Sequence, residues 1–142
     1  MNTADVISLI AKIRGKVNRF IEAEMAQQGL RGIVTSHGDI LFALFQQPKL
    51  TMAEIAARIG RDKSTVTALV DKLAGLGYVV KERDTEDARV FYLTLTPKGR
   101  ELQPSFEAIS GKVLSVFYQN VSEKEKEELL RILTQIHQNL RD

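Results

Sequence analysis

The sequence contains no cysteine and no tryptophan, and only three of its 142 residues are proline. Without cysteine the chain cannot form disulfides, thiolate metal sites or a cysteine-based redox switch. It also lacks any apolar run approaching the roughly 18 residues that a membrane helix requires. Residues 1–19 include Asp5 and lack the basic start, apolar run and cleavage site of a signal peptide. We therefore expect a cytoplasmic protein that makes no membrane contact.

A large excess of either charge is also absent, because 20 Lys and Arg oppose 18 Asp and Glu. The distribution is more informative: residues 58–100 are mildly basic, whereas residues 101–142 are mildly acidic. A polarity of this kind would orient a protein on a polyanion. With 142 residues and 44% hydrophobic composition, the chain is long enough for a single domain, residues 1–142, with a hydrophobic core.

The short motifs that mark common enzymes are missing as well. There is no phosphate-binding G-x-x-x-x-G-K-[ST], no G-x-G-x-x-G after a strand, no nucleophile elbow and no paired histidine and carboxylate motif. The two histidines, His37 and His137, are far apart in the sequence and have no identifiable carboxylate helpers. We expect neither an enzyme nor a cofactor nor a metal site.

Long helices with apolar seams are predicted at both ends of the chain. Apolar residues recur at alternating spacings of four and three, which is typical of paired helices. A homodimer interface is therefore predicted at Val6, Ile10, Ile13, Val17, Leu129, Leu133, Ile136 and Leu140. Packing of these seams within one chain is the alternative, because heptad spacing does not specify the partner.

Residues 51–96 predict two short helices joined by a tight turn, followed by a two-stranded hairpin. Thr51 and Glu54 form a capping-box pattern, Gly60 permits a left-handed turn, and Asp62 or Ser64 can cap the next helix. That helix directs apolar residues to the core at positions Val66, Leu69, Val70 and Leu73. Its opposite face carries the small or polar residues Ser64, Thr65, Thr67, Ala68, Asp71 and Lys72. Small side chains allow a backbone to approach base edges and phosphates closely.

The remaining cap, loop and proline signals complete the predicted order of elements. Thr35 or Ser36 can cap a helix over residues 39–47, and residues 82–88 form the charged hairpin loop. Thr96 caps and Pro97 opens a long helix that Pro104 should kink. Ser122 and Glu125 form a second capping-box pattern at the start of the last helix. The predicted fold is mainly α with a small β-hairpin wing, in the order α-α-α-α-β-β-α-α.

The run from Ser64 to Arg89, with L-T-P-K-G at residues 95–99, resembles the MarR (multiple antibiotic resistance regulator) family. The matching positions are Ser64, Val66, Thr67, Val70, Asp71, Leu73, Gly77, Tyr78, Val79, Arg83, Asp87, Arg89, Leu95, Thr96 and Gly99, with one extra residue before Arg83. The helical layout is similar over essentially the whole chain. The resemblance implies a winged helix-turn-helix lobe at residues 35–100, flanked by dimerisation helices in residues 1–30 and 101–142.

The resemblance also implies a sequence-specific transcriptional regulator, a ligand-responsive repressor that binds a pseudo-palindromic operator as a homodimer. The recognition helix would enter the major groove of double-stranded DNA and the wing the adjacent minor groove. Candidate DNA-binding residues are Lys63, Ser64, Thr65, Thr67, Ala68, Lys72, Lys81, Arg83, Asp87 and Arg89. An arginine at a hairpin tip suits the electronegative minor groove, and Asp87 could hold its guanidinium in position. Capping alone could explain the hydroxyl residues, and ordinary surface exposure could explain the cations.

Members of the family commonly respond to small aromatic ligands in a crevice between the dimer helices and the DNA-binding lobe. The corresponding candidates are Phe20, His37, Phe42, Phe45 and Phe117, although core packing would also explain each of them. A winged helix that binds another protein instead of DNA is the alternative function. The Asp87 and Arg89 pair and the small polar helix face favour DNA.

Overall fold

The computed structural model describes residues 1–30 and 32–141, which are mainly helical. The elements are α1 (Asp5–Gln27), α2 (Thr35–Gln46), β1 (Lys49–Thr51), α3 (Met52–Ile59), α4 (Lys63–Gly75), β2 (Val79–Arg83), β3 (Phe91–Leu95), α5 (Pro97–Arg100), α6 (Gln103–Phe117) and α7 (Glu123–Asn139). Two compact units comprise Met1–Ile109 and Ser110–Asp142. Within the described residues, no helix is both long enough and apolar enough to cross a membrane.

The three strands form an antiparallel sheet in the order β1-β3-β2. The hairpin register runs from Val79 opposite Leu95 to Arg83 opposite Phe91. Strand β1 joins the other edge of β3, where Leu50 lies opposite Leu93 and both side chains are buried. The mainly α fold with a small β wing is confirmed. The predicted order of elements omitted two short ones, β1 and the single-turn α5.

Helix α3 begins with the predicted capping box. The hydroxyl of Thr51 accepts a hydrogen bond from the Glu54 backbone N–H at 3.0 Å, and the Glu54 carboxylate accepts one from the Thr51 N–H at 3.2 Å. A cap of this kind stabilises a helix by about 1 kcal/mol. Gly60 ends α3 with φ of 68°, a left-handed conformation that suits glycine. The same reciprocal cap joins Ser122 and Glu125 at the start of α7.

Helix α2 starts differently from the prediction. It begins at Thr35 rather than near residue 39, so neither Thr35 nor Ser36 occupies the capping position. The backbone N–H of Val34 instead donates to Nδ1 of His37 at 2.9 Å, so the histidine ring serves as the cap. The hydroxyl of Thr35 donates to Glu22 of α1 at 3.3 Å instead of capping α2. The predicted cap was wrong.

The segment after the sheet follows the proline signals. Thr96 caps α5 by accepting a hydrogen bond from the Gly99 N–H at 3.0 Å, with Pro97 as the first helical residue. Pro104 lies in the first turn of α6, and the helix is interrupted at residues 101–102, as its missing N–H predicts. At the other end of the hairpin, Glu82 belongs to β2 rather than to the loop.

The core of the first unit is built from the predicted apolar faces. Val66, Val70 and Leu73 of α4 are at most 1% exposed, whereas Leu69 is only half-buried. The largest fully buried side chains are Phe106, Met25, Ile40, Leu41, Leu44, Leu50, Ile55, Leu73, Leu93, Ile109, Val66 and Val70. In contrast, α7 has no buried residue. The predicted division into residues 1–30, 35–100 and 101–142 stays a prediction, and its last residue lies outside the described part of the chain.

Candidate nucleic-acid interface

The N-terminus of α4 is capped by Asp62. Its Oδ1 accepts hydrogen bonds from the Thr65 backbone N–H at 2.8 Å and from the Ser64 hydroxyl at 2.9 Å. These bonds, led by the one from the Thr65 backbone, hold the pKa of Asp62 below its usual range. Of the two predicted caps, Asp62 is therefore correct. The carboxylate stays ionised at neutral pH, where it also complements the positive end of the helix dipole.

The exposed face of α4 carries the side chains predicted from the sequence. Lys63, Ser64, Ala68 and Lys72 are exposed, and Thr65 and Thr67 are partly so. The Thr67 hydroxyl donates to the Lys63 carbonyl at 2.9 Å, just as the Ser64 hydroxyl donates to Asp62. Because a hydroxyl has a single hydrogen, these two oxygens remain available mainly as acceptors. Such an arrangement suits amino groups of bases better than phosphate oxygens.

At the tip of the hairpin, Asp87 holds Arg89 through three hydrogen bonds. The Arg89 backbone N–H and Nε reach Oδ1 at 3.0 and 3.1 Å, and a terminal nitrogen reaches Oδ2 at 3.2 Å. The Arg89 side chain is nevertheless 90% exposed, so its outer edge is free to contact another molecule. The Arg89 guanidinium, followed by its N–H, lowers the pKa of Asp87 below 3.8. Because the folded pKa is depressed, the pairing is intact above that value and is lost only as the pH falls through the lowered pKa.

Asp84 organises the same loop, and the sequence analysis did not single it out. Its Oδ2 accepts from the Asp87 N–H at 3.0 Å, and its own N–H donates to the Val90 carbonyl at 2.8 Å. The Val90 N–H closes the turn by donating to the Asp87 carbonyl at 3.0 Å. An aspartate at the start of a loop, bonded to the backbone a few residues on, is a known turn signal that could have identified it.

Lys63 of α4 and Lys81 and Arg89 of the wing line one groove. Lys81 and Arg83 both lie over the Phe91 ring, at 4.7 and 5.1 Å from its centroid. A groove of about 360 Å³ is lined by cations and apolar side chains, among them Lys63, Lys81, Arg89, Met52, Val66 and Phe91. Predicted residues from the recognition helix and from the wing thus lie on one surface. Lys72 points elsewhere, with its ammonium close to Gly32.

Arg61 adds a cation that the sequence analysis missed. It lies in the turn between α3 and α4, next to Asp62, and donates to the Ser36 hydroxyl on α2 at 3.1 Å. The side chain is exposed on the same lobe as the N-terminus of α4. Its signal in the sequence was weak, because a single arginine in a turn has no distinguishing pattern.

The five predicted ligand-pocket residues occupy different surroundings. The ring centroids of Phe42 and Phe45 lie 6.0 Å apart, and both rings pack against Phe106. Phe20 is half-buried, and His37 is buried with its Nδ1 engaged by Val34. In the second unit, Phe117 is 41% exposed and packs edge-on against Tyr118.

An open groove of about 360 Å³ borders the aromatic cluster. Among its lining residues are Phe42, Arg14 and Asp39. Arg14 and Asp39 form a 3.7 Å ion pair between α1 and α2, and burial raises the pKa of Asp39 against the opposing effects of Arg14 and Arg61. Within residues 1–30 and 32–141, no cluster of three or more potential ligands could hold a metal ion.

His37 should make the free energy of unfolding depend on pH. Burial, and then the charge of Lys72, lower its pKa below 6.5. As the pH falls, the unfolded chain therefore takes up the proton before the folded chain does. The stability contributed by neutral His37 is complete above pH 6.5 and is lost as the pH falls through the pKa of the folded state. We expect urea midpoints, measured at one protein concentration from about pH 8 to about pH 5, to fall less in His37→Asn than in the wild type. Asparagine keeps an acceptor for the Val34 N–H, and equal pH dependence in the two proteins would contradict the prediction.

Comparison with known proteins agrees with this geometry. A sequence profile described as MarR family matches residues 29–90. The HTH-type transcriptional regulator SarZ of Staphylococcus haemolyticus is 32% identical over 100 residues, which span 70% of this chain and 67% of that protein. This chain belongs to the MarR family of transcriptional regulators. The chain spans only about two thirds of the length of the SarZ proteins that it matches, 67% in one and 62% in another.

Solved structures of transcriptional regulators share the fold along nearly the whole chain. The transcriptional regulator BldR from Sulfolobus solfataricus has a TM-score of 0.80 and 28% identity, covering 99% of this chain and 100% of that one. A mutant MarR from E. coli, complexed with operator DNA, has a TM-score of 0.81 and 17% identity, covering 96% and 99% of the two chains. MarR family members are non-enzymatic regulators, in agreement with the absence of catalytic motifs.

Proposed function

We propose that this MarR family protein is a cytoplasmic homodimeric repressor that binds a pseudo-palindromic operator through α4 and the wing. The observation that carries the proposal is Arg89, which is 90% exposed yet held in one orientation by Asp87. Because the ion pair restrains the exposed guanidinium, Arg89 loses less entropy on binding than a free surface arginine would. A narrow minor groove, with its concentrated negative potential, is the partner that this geometry fits.

Helix α4 supplies the complementary contact in the major groove. The groove of B-DNA is about 12 Å wide and admits a helix whose facing side chains are small. Ala68, Ser64 and Thr67 provide that face, and Lys63 at its edge can reach phosphate. Lys81 and Arg83, on the strand that leads to the wing tip, provide further positive charge for the backbone. A structural neighbour of the chain was solved with operator DNA, which supports this mode of binding.

The apolar seams support the homodimer. Val6, Ile10 and Ile13 of α1 are 39–44% exposed, and Leu129, Leu133 and Ile136 of α7 are 37–39% exposed. Exposed apolar side chains in register are usually buried in an interface. A two-fold dimer that holds two copies of α4 about one helical turn of DNA apart would match two half-sites on one face of the duplex.

The proposal also includes a response to a small ligand. The cluster of Phe42, Phe45 and Phe106 borders the groove that contains Arg14 and Asp39. An apolar wall beside an arginine suits a small aromatic acid. Such a ligand would act by shifting the position of α1 and α2 relative to the DNA-bound arrangement.

Binding to DNA should depend steeply on salt. Each phosphate neutralised by a lysine or arginine contributes a slope of about −0.9 to log K against log salt concentration. With several basic side chains per half-site, we expect the affinity to fall by about a hundredfold or more between roughly 50 and 200 mM salt. Gel shifts on DNA from upstream of the protein's own gene, against a shuffled duplex of equal length, measure both slope and specificity. A flat response, or equal affinity for the two duplexes, would favour a protein-binding winged helix instead.

A further inference from the structure

The connection between α4 and the wing is held by hydrogen bonds to three consecutive carbonyl groups. The Lys98 ammonium donates to the Leu76 carbonyl at 2.8 Å, and the Thr96 hydroxyl donates to the Gly77 carbonyl at 2.6 Å. The Thr96 backbone N–H donates to the Tyr78 carbonyl at 3.0 Å. We call this arrangement, Thr96 and Lys98 around residues 76–78, the carbonyl clamp.

Two glycines make the clamp sterically feasible. Gly77 has φ of 83°, so the chain turns there in a conformation that other residues rarely adopt. A Cβ atom added at Gly99 would lie 2.1 Å from the Tyr78 carbonyl oxygen, far inside contact distance. Residue 99 must therefore be glycine for α5 to approach the start of β2. The glycine of the L-T-P-K-G run, which matches the family motif, thus has a local physical reason.

Lys98 occupies a special place in the clamp. Its ammonium sits at the C-terminal end of α4, where the helix dipole is negative, and lies 5.0 Å from the centroid of the Tyr78 ring. The side chain is exposed, so it buries little apolar surface and adds little to the core. Its partners nevertheless are Leu76, the residue that caps the C-terminus of α4, and Tyr78, the residue before β2.

The position of Arg89 depends on this connection, because the hairpin extends from residues 76–78 to the wing tip. Strand β2 runs five residues beyond it, or roughly 16 Å at about 3.3 Å per residue. Strand β1 supports the hairpin only opposite Tyr92, Leu93 and Thr94, which leaves the tip without a neighbouring strand. A small rotation at residues 76–78 would move the guanidinium by an ångström or more, which is enough to misplace a groove contact.

We propose that Lys98 is a positioning residue for DNA recognition, which fixes the wing relative to α4 and acts through Arg89 without touching DNA. The inference rests on the proposed function, since it presumes that α4 and the wing bind one duplex together. It adds a requirement on α4 and the wing together: the distance between them must match the distance between adjacent grooves of the DNA.

A double-mutant cycle tests this role. Lys98→Met retains the apolar stem and removes the ammonium, and we expect it to weaken operator binding about three- to tenfold. In an Arg89→Ala background the same substitution should cause almost no further loss, because the contact that Lys98 positions is already gone. Lys98→Arg, whose guanidinium can donate to the same carbonyl, should restore most of the affinity. Lys124→Met, an exposed lysine on α7, controls for the loss of one positive charge.

Salt dependence separates positioning from direct contact. If Lys98 touched phosphate, Lys98→Met in the Arg89→Ala background would reduce the slope of log K against log salt by about 0.9. We expect no such change, and a reduction of that size, or fully additive losses in the cycle, would overturn the proposal. Melting temperatures must stay close to that of the wild type, because a loss of affinity that follows unfolding would also overturn it. Failure of the proposed function has a different signature: the wild type itself would not prefer the operator, or Arg89→Ala would bind it unchanged.

Discussion

Replacing Arg89 with alanine is expected to lower operator affinity by about 10- to 100-fold while leaving the fold and its melting temperature unchanged. The side chain is 90% exposed and packs against nothing in the core, so its removal creates no cavity. What is lost is a guanidinium that Asp87 restrains and that we propose to enter a minor groove. Gel shifts or fluorescence anisotropy at one fixed salt concentration, combined with thermal melting, measure both quantities.

Arg131→Ala is the matched control for this variant. Arg131 is also an exposed arginine bonded to a nearby carboxylate, Glu128, but it lies on α7. Its removal deletes the same charge and the same kind of pair, so an equal loss of affinity in both variants would show that net charge alone matters. Unchanged binding in Arg89→Ala would contradict the assignment of the wing.

Asp87→Ala gives a second test in which two physical effects have opposite signs. Removing a negative charge from a DNA-facing surface should tighten binding if only the overall charge matters. If Asp87 orients Arg89, the same substitution should weaken binding, by about two- to fivefold, because an exposed ion pair is only a modest restraint. The direction of the change therefore distinguishes positioning from simple electrostatics.

If the chain forms the proposed homodimer, replacing Leu133 with glutamate is expected to convert it to monomers and to lower operator affinity by about 10²- to 10⁴-fold. Leu133 lies in the middle of the α7 seam, and α7 has no buried residue within one chain. A carboxylate placed there would be desolvated by the partner without a counter-charge, which strongly disfavours association. Once the two halves separate, the second half-site no longer binds at a high effective concentration. Analytical ultracentrifugation and gel shifts on full and half operators measure the two effects.

Leu130→Glu provides the control for the seam. Leu130 is on the same helix and is 67% exposed, but it lies outside the predicted seam, so the substitution should leave both the dimer and DNA binding intact. If Leu133→Glu remained a dimer at the same concentration, the seams would have to be satisfied within one chain. The apolar residues of α1 would then need a different explanation.

The elements that sequence alone predicted are those with local physical causes. The capping boxes of Thr51 and Ser122, the left-handed Gly60 and the Thr96 cap with its following proline each depend on residues at most three positions apart. The pairing of Asp87 with Arg89 likewise spans two residues and could be predicted from the family motif. Such short-range signals survive without knowledge of the tertiary structure.

What the sequence could not supply depends on distant partners. Strand β1 is three residues long, and only its pairing with β3, more than 40 positions later, makes it a strand. Lys98 reaches a carbonyl 22 residues away, and Arg61 reaches a hydroxyl 25 residues away. His37, which was assigned to a ligand crevice or the core, is buried, and its cap of α2 was missed although its partner, Val34, lies only three residues away. Long surface side chains reveal such roles only when the fold brings their partners within reach.

The wing loop, residues 84–90, has a consequence for how this regulator could acquire new operators. Its tip is shaped by hydrogen bonds that all begin and end within those seven residues. Substitutions on the exposed face of α4 therefore leave that geometry untouched. In the proposed binding mode, sequence preference in the major groove and contact with the minor groove can then diverge independently, so descendants of one ancestral gene could change their targets while keeping the same wing contact.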